Sequence, residues 1–156
     1  MIPTPEQLIH HLFYEVWMLG AIRQKLNERD FTDQKTANAL IESFCIHARN
    51  LNEFFLENGK DDTLKASSFA TTDYRLPDNG LERRTLFAMI NKQISHLTEA
   101  RTTTAEEKIG DLERELMYGF LYAERELFRT SAIGIAPSLE NKVIRNPWGI
   151  PVKVTE

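Results

Sequence analysis

Cysteine is nearly missing from this chain: Cys45 is the one thiol in 156 residues. A lone thiol excludes an internal disulfide and any cysteine-rich metal cluster. It also fits a reducing compartment. No apolar run approaches the roughly 20 residues needed to span a bilayer. The opening stretch "MIPTPEQLIHHLFYEVW" has no basic leader, no unbroken apolar run and no small-residue cleavage site, so it does not read as a secretory signal. The expected location is the cytoplasm, with no membrane partner. A surplus of positive charge is missing too. There are 19 basic and 23 acidic residues, for a net charge of −4, which argues against a chain-wide attraction to nucleic acid. A glycine-rich phosphate loop and a G-x-S-x-G nucleophile elbow are absent. So are internal repeats, low-complexity tracts and any strand alternation convincing enough for a sheet.

What is present is helical periodicity. A chain this long reads as one domain and can bury roughly 70% of its unfolded surface. The first helix starts at "TPEQ", where Thr4 can cap, Pro5 fits the first helical position and Gln7 can complete a capping box. Its stripe is Leu8, Ile9, Leu12, Phe13, Val16, Leu19, Ile22 and Leu26. "NERDFTD" ends it, and Thr32 or Asp33 starts a second helix that runs to about Asn58. Ala37, Leu40, Ile41, Phe44, Ala48, Leu51 and Phe55 line that helix, and Cys45, Ile46, Phe54 and Leu56 widen its apolar arc. An arc so wide predicts either a central helix or contact with a second chain, and a homodimer is expected.

Residues 59–79 read as a long polar connection, with a short helical turn after Asp62. Asn79 with Glu82 predicts the start of a third helix, lined by Leu86, Phe87, Ile90, Ile94 and Leu97. Thr104 with Glu107 predicts a capping box for a fourth, lined by Ile109, Leu112, Leu116, Phe120, Ala123 and Leu127. Gly110 and Gly119 fall inside it, each costing about 1 kcal/mol against Ala, which points to close helix contact there. The tail "GIAPSLENKVIRNPWGIPVKVTE" is too broken for a long helix. Its "VIRNPWGIPVKV" section can be extended and lie over the helices, with Trp148 as an anchor. The expected architecture is all-α: an antiparallel four-helix bundle over residues 1–132, with an irregular tail over 133–156 packed on it or partly mobile.

Two polar sets interrupt this pattern. In "SFCIHARNLNEFF", roughly 100° per residue puts His47 and Asn50 on one flank as neighbours able to share a partner. Arg49 points nearly opposite the core, to solvent, another helix or a second subunit. In "INKQISHLTEAR", Lys92 pairs with His96, Asn91 with Thr98, and Arg101 follows the last stripe residue. Residues 81–101 carry Arg83, Arg84, Lys92 and Arg101 against Glu82 and Glu99, making this the net-positive long segment. Each set has a plain structural reading beside the functional one: a boundary histidine with one hydrogen bond, an ion-paired arginine, a solvated helix flank. His10, His11, His47 and His96 form no H-x-x-x-H or E-x-x-H pair, so no metal and no cofactor are expected.

"HARNL" at residues 47–51, followed by "NKQISHLTEAR" at 91–101, resembles a group of small bacterial helical proteins. They share H-A-R-N-L on one helix and N-K-x-I-x-H-L-T-x-x-R on a later one. The Asp61–Asp62 pair of "DDTLKASSF" fits as well. The chain more loosely resembles the HEPN superfamily of four- or five-helix bundles. Many of these are dimers and metal-independent ribonucleases of toxin–antitoxin and phage-defence systems. Their signature is an arginine, commonly followed by a polar residue, then four to six residues and a histidine. Here Asn91 stands five residues before His96, and Lys92 follows it. The resemblance implies a binding module for RNA or a protein partner, using His47, Arg49, Asn50, Asn91 and Thr98. As an alternative it implies an endoribonuclease, with His96 as general acid/base and Lys92 or Arg101 supporting phosphate. A third reading is a dimeric interaction protein whose motifs serve subunit contacts.

Overall fold

Pro5 opens α1 (Pro5–Asn27) at the position where a missing backbone N–H costs nothing. The computed structural model describes residues 5–56, 64–70, 80–91, 109–131, 143–145 and 151–153. The expected cap, Thr4, lies outside them. The helix ends in a Schellman-type turn. Asp30 N–H donates to the Lys25 carbonyl at 2.9 Å and Arg29 N–H to the Leu26 carbonyl at 3.3 Å. Arg29 holds the left-handed position at φ 56°. Glycine usually sits there. The Lys25–Asp30 ion pair at 2.8 Å spans the turn where an apolar contact is common.

Asp33 then caps α2 (Gln34–Leu56): its Oδ1 accepts from Thr36 N–H at 2.7 Å. That hydrogen bond holds the Asp33 carboxyl below its usual range. Helix α2 touches α1, α3 (Gly80–Ile90), α4 (Asp111–Ser131) and a single 3-10 turn at Ala66–Ser68. Its wide apolar arc is therefore used within the chain. Phe44, Cys45, Ala48, Leu51, Phe54 and Phe55 are all buried, while Ile46 is exposed. Of the two alternatives for so apolar a helix, the central one holds. Phe54, Phe55 and Phe128 of α4 meet edge-to-face, with ring centroids 5.2–6.1 Å apart. Ala66 of the short turn and Phe69 just after it join the same core.

Helix α3 buries Leu86, Phe87 and Ile90, as its period predicts. Asn91 closes it in a wider turn, and residues 92–108 lie outside the described ones. The start of α4 differs from expectation. Ile109 and Gly110 precede the helix, so a helix beginning at Thr104 does not run on continuously, and Gly110 is its N-cap, not an interior residue. Glu113 Oε2 accepts from Gly110 N–H at 3.0 Å, the reciprocal half of a capping box. The core face of α4 differs too. It is Arg114, Met117, Leu121, Glu124 and Phe128 that are buried. Leu112, Leu116 and Ala123 are exposed, and Phe120 and Leu127 lie between. The expected stripe is rotated by about one residue, roughly 100°. The reason is chemical: two of the five inward positions are charged, so the apolar period marks the outer face more strongly. Gly119 also departs from expectation, since among the described residues nothing lies within 4 Å of a Cβ placed on it.

The tail is not wholly irregular. β1 (Val143–Arg145) pairs antiparallel with β2 (Pro151–Lys153), Ile144 opposite Val152, and β1 lies against α1. β-branched residues suit that pairing. Trp148 lies outside the described residues. The fold is otherwise helical, and among the described residues no helix is long and apolar enough to cross a membrane.

Candidate functional site

The histidine motif of α2 separates into two places. His47 turns toward α1, where its Nδ1 lies 2.7 Å from Glu15 Oε2. Asn50 donates to the other oxygen of that carboxylate at 3.2 Å. The shared partner that the i, i+3 spacing anticipates is thus Glu15. A carboxylate only accepts, which assigns the shared proton to Nδ1. Tyr14 covers the ring edge-on, with centroids 5.6 Å apart, and His47 is buried. The arrangement ties α1 to α2 and leaves His47 facing away from α3.

Arg49 turns the other way, into a cleft of about 310 Å³ between α2 and α3. Arg49, Asn52, Glu53 and Leu56 form one wall, and Arg83, Arg84, Phe87, Ala88 and Asn91 the other. Arg84 and Asn91 are exposed, while Arg49 and Glu53 are half-buried with Nε and Oε1 4.0 Å apart. The floor is a buried cluster. Arg83 Nη2 donates to Asn52 Oδ1 and to Glu124 Oε2, each at 2.8 Å. Its Nη1 abuts Glu124 Oε1. The guanidinium carbon lies 5.0 Å from the Phe87 ring centroid and 5.7 Å from that of Phe120. Arg83 and Glu124 cancel, so among the described residues the open part of the cleft carries Arg49 and Arg84 against Glu53, a surplus of one positive charge. Planar guanidinium groups with an amide beside them are suited to phosphate or carboxylate oxygens.

The expected set is therefore distributed. Arg49 and Asn91 share this cleft, and His47 and Asn50 share Glu15. Lys92, His96, Thr98 and Arg101 lie outside the described residues. Among the described residues no group of three or more His, Cys, Asp or Glu could hold a metal ion. His10 and His11, weighed as ligands with His47, are both exposed. The thiol of Cys45 is fully buried, and burial pushes its pKa up to about 12, so it is a packing group. Sequence reasoning missed Asn52 and Glu124, and took Arg83 and Arg84 only as charge. The signal was there for Glu124: it falls at helical spacing with Met117, Leu121 and Phe128. No family model, no curated protein and no solved structure matches this chain.

Proposed function

We propose that this protein is a cytoplasmic binding module of HEPN-like, four-helix-bundle character that takes RNA along the cleft between α2 and α3. The supporting observation is the convergence of Arg49, Arg84 and Asn91 on one cleft, in a chain whose net charge is negative. A local basic site is what an acidic chain needs to hold a phosphate backbone. Beneath that cleft, Arg83 joins α3 to Asn52 of α2 and to Glu124 of α4. Asn91 adds a donor and an acceptor at the rim, able to contact a base edge or a ribose hydroxyl.

The nuclease alternative assigns proton transfer to His96, with Lys92 or Arg101 on phosphate. It gains nothing from His47, whose Nδ1 is engaged by Glu15.

The test is fluorescence anisotropy with a labelled single-stranded RNA over a range of salt. Binding that weakens with salt is expected. The Arg49→Ala, Arg84→Ala double variant should lose at least tenfold in affinity. It should also flatten the log–log salt slope by about 1.4, roughly 0.7 for each phosphate contact removed. No binding at low salt would sink the RNA reading and leave a protein partner or a purely structural role for these motifs. An unchanged double variant would move the site out of this cleft.

A further inference from the structure

Between α1 and α2 lies a second cavity, of about 320 Å³. That volume is at the lower end of the roughly 300–1,000 Å³ of small-molecule sites. Its walls are apolar: Leu12 of α1, Leu51 and Phe54 of α2, and Leu64 shortly before the 3-10 turn. Helical spacing gathers them. Leu51 with Phe54, and Asn50 with Glu53, are i, i+3 pairs on one side of α2, and His11 stands one turn before Glu15 on α1. The polar groups are few. Glu15 and Glu53 bring one carboxylate from each helix, Asn50 an amide and His11 an exposed ring. Among the described residues no Lys or Arg lines the cavity.

We propose that this cavity binds a small amphipathic amine, with its ammonium group against Glu15 and Glu53 and its apolar body between Leu12, Leu51, Phe54 and Leu64. Glu15 selects the charge. Its side chain is 23% exposed, and it is gripped at both oxygens, by His47 Nδ1 at 2.7 Å and by Asn50 Nδ2 at 3.2 Å. His47 is itself buried, so a group inside the fold sets where the carboxylate sits. A carboxylate offers about four acceptor sites. The two contacts use one on each oxygen and leave the others to the cavity. An ammonium brings three donors and no acceptor, which complements that surplus. The same features reject other ligands. An anion would meet two carboxylates and no cation. A hard metal ion needs a shell of oxygens, and among the described residues no group of three or more His, Cys, Asp or Glu could hold one. A neutral apolar molecule would strip water from Glu15 and return no donor.

Size sets the strength. For a ligand of about ten non-hydrogen atoms, ordinary efficiencies give a dissociation constant of roughly 0.1–1 mM. Glu53 also lines the α2–α3 cleft, where its Oε1 lies 4.0 Å from Arg49 Nε. Among the described residues it is the one that borders both spaces. The amine site is therefore separable from RNA binding, which uses Arg49 and Arg84.

The experiment is calorimetric titration of the full chain with phenylbutylamine, beside phenylbutanol and phenylbutyrate as its neutral and anionic counterparts. The amine should bind one to one and at least tenfold more tightly than the alcohol, and the acid should not bind. Glu15→Gln should weaken the amine at least tenfold. That change also touches the His47 contact, so Glu53→Gln, at a half-buried position, supplies a second reading and should weaken it about threefold. The Arg49→Ala, Arg84→Ala double variant should bind the amine at least as well as wild type. Amide NMR shifts on titration should cluster at Leu12, Glu15, Leu51 and Phe54. No binding up to about 10 mM amine, an alcohol that binds as tightly, or full affinity in both glutamine variants overturns the site. So do shifts centred on Arg84 and Asn91, or amine binding lost with the two arginines. Amine binding that persists where RNA binding is absent leaves this site standing and sinks the RNA reading alone.

Discussion

Glu124 of α4 and Arg83 of α3 form an ion pair from which water is excluded: their side chains are 1% and 3% exposed. Asn52 of α2 completes the contact, so one guanidinium ties three helices together. Removing two charges from water costs several kcal/mol per ion, which their attraction offsets only while both are present. Glu124→Gln should therefore destabilise the fold by about 3–5 kcal/mol, because Arg83 keeps its charge without a counter-charge. Replacing both together, as Arg83→Met with Glu124→Leu, should recover much of that loss. Urea denaturation of the three proteins tests this. A loss under about 1 kcal/mol for Glu124→Gln would mean that the pair behaves as a solvated one.

That pair also shows where the sequence could and could not be read. Helix existence and most of three faces were legible, since Leu12, Leu19, Ile22 and Leu26 or Phe44, Ala48, Leu51 and Phe55 recur at 3.6-residue spacing and are buried. The face of α4 was not, because Arg114 and Glu124 occupy inward positions that apolar periodicity leaves out. The start of α4 was misplaced because Gly110 has no side chain to announce a cap, although Glu113 three residues later supplies half of one. The partition of "HARN" followed from angular spacing alone: His47 with Asn50, and Arg49 apart. That Glu15 would be their partner depended on how α1 lies against α2, which no local pattern carries. The cleft was half visible, through Arg49 and Asn91. Arg83 and Arg84 were noticed only as charge, since nothing local says which of two adjacent arginines is buried.

Acid should act on the link between α1 and α4. Arg23 Nε and Nη2 hold Glu115 at 2.8 and 2.7 Å, and Asn27 adds a third bond at 3.0 Å. The Arg23 hydrogen bonds, foremost, hold the Glu115 carboxyl below its usual range. A depressed carboxyl stabilises the fold above its unfolded pKa, and that contribution is lost as pH falls through the folded value. Glu115→Gln should thus lower stability at neutral pH, by no more than about 1 kcal/mol because the pair is partly solvated. The gap between wild type and variant should narrow as pH falls below the ordinary carboxylate range. Melting curves at neutral and acid pH decide it. A gap that persists in acid would assign the effect to packing.

Cys45 should be unreactive in the folded chain. It is fully buried, and burial raises its thiol to about 12, so almost none is thiolate at neutral pH. A disulfide-exchange reagent should label it only as fast as the core opens, and stoichiometrically once guanidinium is added. Labelling within seconds without denaturant would place Cys45 at a surface or in a region that opens freely.

Gly119 offers a test of helix propensity at an exposed position. Among the described residues a Cβ placed there meets nothing within 4 Å, and the residue is exposed in the interior of α4. Alanine carries no strain at such a position and a higher helix propensity. Gly119→Ala should therefore stabilise the protein by about 1 kcal/mol. For a chain of this size that is a rise of about 2–4 °C in Tm. The gain comes partly from the unfolded chain, which has fewer conformations to lose. Thermal melts of the two proteins check it. A fall in Tm would mean that its Cβ position is filled within the single chain.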